Sequence, residues 1–155
     1  MSIEKAKAHL EKYGLSEKIR EFSVSSATVA LAAQALGTEE ARIAKTLSFL
    51  TPAGAILVVC AGDAKIDNQK YKAQFFTKAR MIPFEDVEYI VGHAVGGVCP
   101  FGINDGVSVY LDESLRRFDI VYPAAGPAAS AVELTIEELE RSSEFHSWVD
   151  VTKHD

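Results

Sequence analysis

The chain has 155 residues, 48% of them hydrophobic, and this length and composition predict one globular domain over residues 1–155. The formal net charge of −6 argues against a broad nucleic-acid groove, because such grooves belong to basic domains. No apolar run approaches the roughly 20 residues of a membrane span, and the polar start does not resemble a signal peptide. We therefore expect a cytoplasmic protein with no membrane partner.

The first third of the sequence is predicted to be mainly helical. Apolar residues at helical spacing predict a first helix that ends near Tyr13, and a short second helix follows from Ser16. Ser25 or Ser26 is the expected N-cap of an alanine-rich helix over 27–36, which the following glycine ends.

Strands are predicted mainly in the middle of the chain. Apolar runs at 44–50 and 55–61 flank a Pro/Gly turn and predict a hairpin, with Lys45 at the start of its first strand. Further strands are expected at 107–111, 120–122 and 131–134. Helical segments are expected at 70–76, after Pro83, at 112–117 with Asp112 as cap, and at 136–141 after a Thr135 capping box. Because strands and helices do not alternate regularly, we predict an α+β fold with a mixed, largely antiparallel sheet.

The segment from Gly92 to Gly102 contains four glycines and Pro100 within eleven residues. Glycine allows the backbone to turn at positive φ and to approach a ligand closely, and proline fixes the local path. Such a loop can direct several N–H groups at one anionic or polarised oxygen. It therefore predicts a site that binds its ligand with the main chain.

Charge is unevenly distributed along the chain. The window from residue 65 to residue 80 contains five basic residues and one acidic residue, Asp67. The basic residues are Lys65, Lys70, Lys72, Lys78 and Arg80. The cluster is compatible with a local phosphate contact. The two cysteines, Cys60 and Cys99, have no metal-ligand spacing, so we expect free thiols, no metal site and no cofactor.

Three stretches, in this order and spacing, resemble the YbaK/EbsC family and the prolyl-tRNA synthetase associated (ProX-like) editing domain. They are ARIAKTL at 41–47, GGVCPFG at 96–102, and VYLDESL at 109–115, which leads into Val121-Tyr122 and Ala125-Gly126. The resemblance covers about residues 25–142. It implies a curved or barrel-like β core with surrounding helices, and a freestanding enzyme that acts in trans. The implied activity is hydrolysis of the ester of a mischarged tRNA that carries a small amino acid, with tRNA(Pro) as the expected tRNA.

The resemblance also implies which residues form the site. Lys45 matches the family's strand lysine, and Gly96, Gly97, Val98, Cys99 and Pro100 match its GxxxP loop. We expect N–H groups of Gly97, Val98 and Cys99 to stabilise an oxyanion, and Lys45 either to hold the phosphate of the terminal nucleotide or to orient the substrate near the carbonyl. The expected substrate-binding neighbours are Thr46, His93, Phe101, Gly102, Asp112 and Gly126. The expected partners are the tRNA acceptor end, which the basic cluster would contact, and prolyl-tRNA synthetase.

Two other functions remain open on the sequence. Cys99 lies among clustered backbone amides and could act as the nucleophile of a small-acyl thioesterase or hydrolase, although only His93 is nearby as a base. Alternatively, the loop could belong to a module that binds a tRNA end or a nucleotide without catalysis.

Overall fold

The computed structural model describes residues 2–154, with side chains from Ile3 onward, and it confirms the α+β class. The α-helices in this range are α1 (Ser2–Glu11), α2 (Val29–Leu36), α3 (Asn68–Phe75), α4 (Val87–Val91) and α5 (Ile136–Ser143). The strands are β1 (Ile19–Glu21), β2 (Ile43–Thr51), β3 (Gly54–Ala61), β4 (Lys65–Ile66), β5 (Ser108–Asp112), β6 (Ile120–Pro123), β7 (Ser130–Val132), β8 (Leu134–Thr135), β9 (Ser147–Val149) and β10 (Thr152–Lys153). Short 3₁₀ helices lie at Ser16–Lys18, Glu40–Arg42, Phe84–Asp86 and Glu113–Arg117.

The main sheet is curled and mixed, with six strands in the order β8-β6-β2-β3-β5-β9. Its β2–β3 and β6–β8 pairs are antiparallel, whereas β2–β6, β3–β5 and β5–β9 are parallel. Two further antiparallel pairs, β1–β7 and β4–β10, extend the structure at its margins. The mixed sheet that the sequence predicted is therefore present.

The hairpin at the centre of the sheet separates two apolar clusters. Leu57 and Val59 of β3 face the larger cluster, which is also built from α1, α4, α5 and Phe101. Val58 faces the smaller cluster, which includes Phe49 and Tyr71. Because β3 is buried on both faces, the hairpin is firmly held, and side chains on β2 have fixed positions.

Local capping signals predicted several element boundaries correctly. The 44–50 and 55–61 hairpin forms with Thr51 paired to Gly54. Asp112 caps the helical turn that follows it, and the Thr135 capping box is present. Within residues 2–154, the structure contains no helix long and apolar enough to cross a membrane.

The predicted start of the second long helix was wrong. The helix begins at Val29, with Thr28 as its N-cap, because the Thr28 hydroxyl accepts from the N–H of Leu31. Ser25 instead accepts from the N–H of Ala27, and Ser26 is buried against the 128–130 segment.

Other boundaries also differ from those predicted. The first helix ends at Glu11, and the segment after Pro83 begins as a 3₁₀ turn before α4. The predicted 131–134 strand is divided into β7 and β8, which pair with different strands.

Candidate active site

A cavity of about 340 Å³ lies between β2, the start of α2 and the glycine-rich segment. Lys45 and Thr46 of β2 line one side, and Gly96 and Val98 line another. The lysine and the loop that the sequence singled out therefore border the same space. The volume is at the small end of the range for ligand sites, and most lining side chains are apolar.

Lys45 is held by the turn that follows β3. Its Nζ donates to the carbonyl oxygens of Gly62, at 3.4 Å, and Ala64. An ammonium has three N–H groups, so one remains available for a ligand. Among residues 2–154, no carboxylate lies within ion-pair distance of Lys45. The nearby Asp63 is instead paired with Arg117, which lowers the pKa of that carboxyl.

Thr46 contributes free backbone groups to the wall of the cavity. Ser48 O accepts from Ile82 N, and Leu50 N donates to Arg80 O, so these alternate residues direct their backbone groups to the outer edge of β2. Thr46 shares this orientation because the strand has a period of two. Strand β6 covers the same edge only at Ile43 and Ala44. The N–H and C=O of Thr46 thus lie on an uncovered stretch of strand edge. Its hydroxyl oxygen is buried and has no hydrogen-bond partner among the residues that the structure describes.

The glycine loop is packed tightly against two neighbouring segments. Gly96 has φ +97°, and a Cβ there would lie 3.0 Å from the Cβ of Ala27. Gly97 donates to Ala94 O and accepts from Gly126 N, both at 3.1 Å. A Cβ on Gly97 would lie 2.5 Å from Gly126 C and 3.0 Å from Pro127 C. Side chains are therefore excluded at both positions, and the loop has one fixed path.

This path leaves two consecutive amides free. The Gly97 N–H is used inside the loop, whereas the N–H groups of Val98 and Cys99 have no acceptor among the described residues. Val98 also lines the cavity. The arrangement therefore offers an ammonium and at least one unpaired main-chain donor to a ligand oxygen.

Comparison with known proteins identifies the family. The model of the "Aminoacyl-tRNA editing domain" family matches residues 24–142, which includes β2, the glycine loop and the 125–130 segment. The chain belongs to the aminoacyl-tRNA editing domain family.

Relatives match the editing domain over nearly its whole length. YwhH of Bacillus subtilis (strain 168), an uncharacterized protein, is 46% identical over 154 residues, which are 99% of this chain and 98% of that protein. A solved structure described as a candidate trans-editing enzyme for prolyl-tRNA synthetase has a TM-score of 0.88 and 31% identity, and covers 98% of this chain and 97% of its own. The structure of hypothetical protein APE2540 has a TM-score of 0.86 and 27% identity, and the match covers 96% of this chain and 99% of that protein.

Three predicted site residues, His93, Cys99 and Phe101, are buried beneath the loop of the editing domain rather than in its cavity. His93 is buried, and its Nε2 lies 2.6 Å from Phe101 O. Because a carbonyl only accepts, Nε2 carries the proton, and burial lowers the pKa of His93 so that the ring is neutral. Cys99 is also buried and directs Sγ toward Phe101 O, and burial raises its pKa to about 12. The contact between His93 and Phe101 connects the two ends of the loop.

The remaining predicted site residues are also outside the cavity lining. Pro100 and Gly102 line a different depression, which contains Lys5 and His9. Gly126 supports the loop through its N–H bond to Gly97. Asp112 is buried and accepts from Ser114 N, Val151 N and the Thr152 hydroxyl, so it joins β5 to the C-terminal segment.

The structure divides the basic cluster between several surfaces. Lys70 is bound to Asp150 and Thr152 O, and it borders a depression near the C-terminus. Lys65 is in β4, and Lys72 is exposed on α3. Lys78 and Arg80 precede Met81, which lines the cavity. None of the five basic residues is in the described lining of the cavity, and Lys78 and Arg80 are the nearest to it in sequence.

Sequence reasoning missed several residues of the cavity wall. Thr28 and Val29 at the start of α2, Met81, Phe84 and Ser130 all line it. Ser130 is buried, and its hydroxyl accepts from Ala125 N and donates to Pro127 O, which holds the wall that supports Gly97. The sequence from 80 to 84, in which a basic residue is followed by large apolar residues, was a signal that could have drawn attention to Met81 and Phe84.

Proposed function

We propose that this editing domain is a trans-acting deacylase that hydrolyses the ester between a small amino acid and the 3′ end of a mischarged tRNA, with tRNA(Pro) as the tRNA. The observation that supports this most is the shared cavity of Lys45 and Val98, which pairs a cation with a free N–H. The trans-editing relative of similar length supports the choice of tRNA.

A free amide suits the charge that develops in ester hydrolysis. Attack of water on the acyl carbon turns the carbonyl oxygen into an oxyanion, which needs hydrogen-bond donors already in position. We assign this role to the N–H of Val98, which lines the cavity, since the Gly97 N–H is occupied and Cys99 lies outside the cavity lining. One such donor contributes about 10²–10³ in rate, so this N–H supplies a substantial part of the required acceleration.

Lys45 is proposed to hold the substrate beside this donor. Two of its N–H groups are bound to Gly62 O and Ala64 O, which aims the third and fixes the position of the charge. A fixed positive charge with no carboxylate partner attracts the terminal phosphate or the developing oxyanion.

The described lining of the cavity contains no Asp, Glu, His or Cys side chain, so a general base from the protein is not part of the proposal. We propose instead that a ribose hydroxyl of the substrate helps to activate the water. The water oxygen bonds to the acyl carbon, the ester C–O bond then breaks, and the ribose oxygen leaves with a proton. The products are the free amino acid and the uncharged tRNA.

The cavity also suits selection of a small acyl group. One methylene changes binding by only about 1–3 kcal/mol, so exclusion by size must provide most of the discrimination. We propose that the carbonyl of Thr46, on the uncovered edge of β2, accepts from the α-ammonium group of the substrate.

The test is release of amino acid from tRNA(Pro) charged in turn with alanine, cysteine, serine and proline. We expect one small amino acid to be released fastest, and Lys45→Met to lower its kcat/KM by about 10²-fold or more. Lys7→Met is the matched control, because Lys7 is exposed on α1, lies outside the cavity lining and is not part of the basic cluster. Normal turnover by folded Lys45→Met would contradict the proposal.

The absence of Asp, Glu, His and Cys side chains from the described lining favours a second candidate, a module that binds a charged tRNA end without cleaving it. Tight binding of the charged tRNA with ester loss at the background rate would select this candidate. Hydrolysis by the wild type that is lost in Lys45→Met would eliminate it.

A further inference from the structure

Three large apolar side chains at the mouth of the cavity are exposed. Met81, Phe84 and Val95, which we call the apolar rim, all line the cavity yet are 56%, 75% and 45% exposed. Single exposed apolar residues are ordinary on a protein surface, but a group of them around one opening indicates a binding surface. Phe84 offers the rim an accessible aromatic side chain.

The rim is held in position by the neighbouring backbone. Arg80 O and Ile82 N are hydrogen-bonded to β2 on either side of Met81. The buried side chains of Ile82 and Val87 anchor the segment on both sides of Phe84. Pro83 fixes its own φ, and its carbonyl accepts from Asp86 N in the turn that begins at Phe84. Phe84 is therefore presented on a rigid support before any ligand arrives.

Charge is asymmetric along this segment. Lys78 and Arg80 precede the rim and are exposed, and neither is within ion-pair distance of a carboxylate among residues 2–154. Glu85 and Asp86 follow it directly. An anionic chain would thus approach from the Lys78 and Arg80 side and be repelled from the other. A basic approach that ends at an exposed aromatic ring is the arrangement by which proteins bind single-stranded nucleic acid.

We infer that the apolar rim binds the 3′-terminal nucleobase of the RNA substrate, with the ring of Phe84 stacked on the base and with Arg80 and Lys78 beside the phosphates that precede it. This inference rests on the proposed function, because an ester bound beside Lys45 carries its ribose and base with it. A base one sugar away from the cavity must lie near the mouth, where the rim is.

The test uses an uncharged RNA that ends in CCA, with 2-aminopurine in place of the terminal adenine. Stacking on Phe84 is expected to quench the fluorescence of this base when the wild-type protein binds. Phe84→Ala should weaken binding by about 5- to 150-fold, and Phe84→Tyr should restore it, because stacking needs an aromatic ring. Phe76→Ala is the matched control, since Phe76 is 88% exposed but lies beside the β2–β3 turn. Thermal unfolding of each variant checks that it is folded.

Deacylation of the charged tRNA separates this inference from the proposed function. If the wild type is active, Phe84→Ala should raise KM with little change in kcat at saturation. An active wild type with unchanged KM and unchanged RNA affinity in Phe84→Ala would overturn the inference and leave the proposed function standing. If the wild type is inactive but its RNA binding still depends on Phe84, the proposed function is overturned and the inference stands. RNA binding by the wild type without quenching of the 2-aminopurine would also overturn the inference. So would a Phe84→Ala variant that binds RNA normally but no longer binds prolyl-tRNA synthetase.

Discussion

Replacing Gly97 by alanine tests whether the fixed path of the loop determines activity. The added Cβ would lie 2.5 Å from Gly126 C and 3.0 Å from Pro127 C, and closer still to Gly126 O. Ordinary contacts begin at 3.4 Å, and these neighbours are backbone atoms that cannot rotate away. The loop and the 126–127 segment must therefore separate by more than about 1 Å, and a misplacement of about 1 Å already costs about 10² in rate.

The same substitution should also lower stability, so the assay must separate the two effects. Overpacking of this kind typically costs about 1–3 kcal/mol. Gly14→Ala is a suitable control. Gly14 has φ +73°, and a Cβ added there would meet no atom within 4 Å, so the substitution introduces backbone strain of about 1–2 kcal/mol without a steric clash. Gly14 is also far from the loop in sequence. Urea unfolding measures stability, and kcat/KM for deacylation measures function.

We expect Gly97→Ala to lose about 100-fold in kcat/KM at a temperature where it is folded, mainly through kcat. Gly14→Ala, with a similar loss of stability, should keep nearly normal turnover. Wild-type turnover in folded Gly97→Ala would refute the claim that the loop geometry positions the donor.

Two further predictions concern residues under the loop. Cys99→Ala should retain deacylase turnover within a few-fold, because burial raises the pKa of Cys99 to about 12 and its thiol stays protonated; abolished turnover in a folded protein would favour the thioesterase alternative. Burial lowers the pKa of His93 from 6.5, so below about pH 6.5 the unfolded chain gains a proton that the folded chain does not. The free energy of unfolding should therefore fall between about pH 7.5 and about pH 5.5 in urea titrations. His93→Gln should flatten this dependence, whereas replacing the exposed His146 by Gln should not, and equal slopes would contradict the assignment.

Signals that act within a few residues allowed much of the fold to be predicted. The Thr135 capping box and the Asp112 cap depend on residues two or three positions apart, and the structure contains both. The long hairpin was predictable because two apolar runs flank a compact turn. The start of α2 was not, since Ser25, Ser26 and Thr28 are equivalent as caps until packing buries Ser26. Strands of two residues, such as β4, are too short to show a period.

The candidate site was predictable only in part for a related reason. Lys45 and Gly96 were found through a resemblance of ordered motifs, and they line one cavity. The directions of His93 and Cys99 were not predictable, because an irregular loop has no period that assigns its side chains to a face. Phe84 was missed because its position at the cavity depends on hydrogen bonds between the 80–82 segment and β2, which are distant in sequence.

The most direct test of the shared-cavity account is a crystal structure with a non-hydrolysable substrate analogue, 3′-alanylamino-3′-deoxyadenosine. The account predicts that the acyl oxygen lies within hydrogen-bond distance of Val98 N and near Lys45 Nζ, with the adenine at the mouth of the cavity. An acyl group bound instead in the depression beside Pro100 and Gly102, with the Lys45 cavity empty, would contradict it.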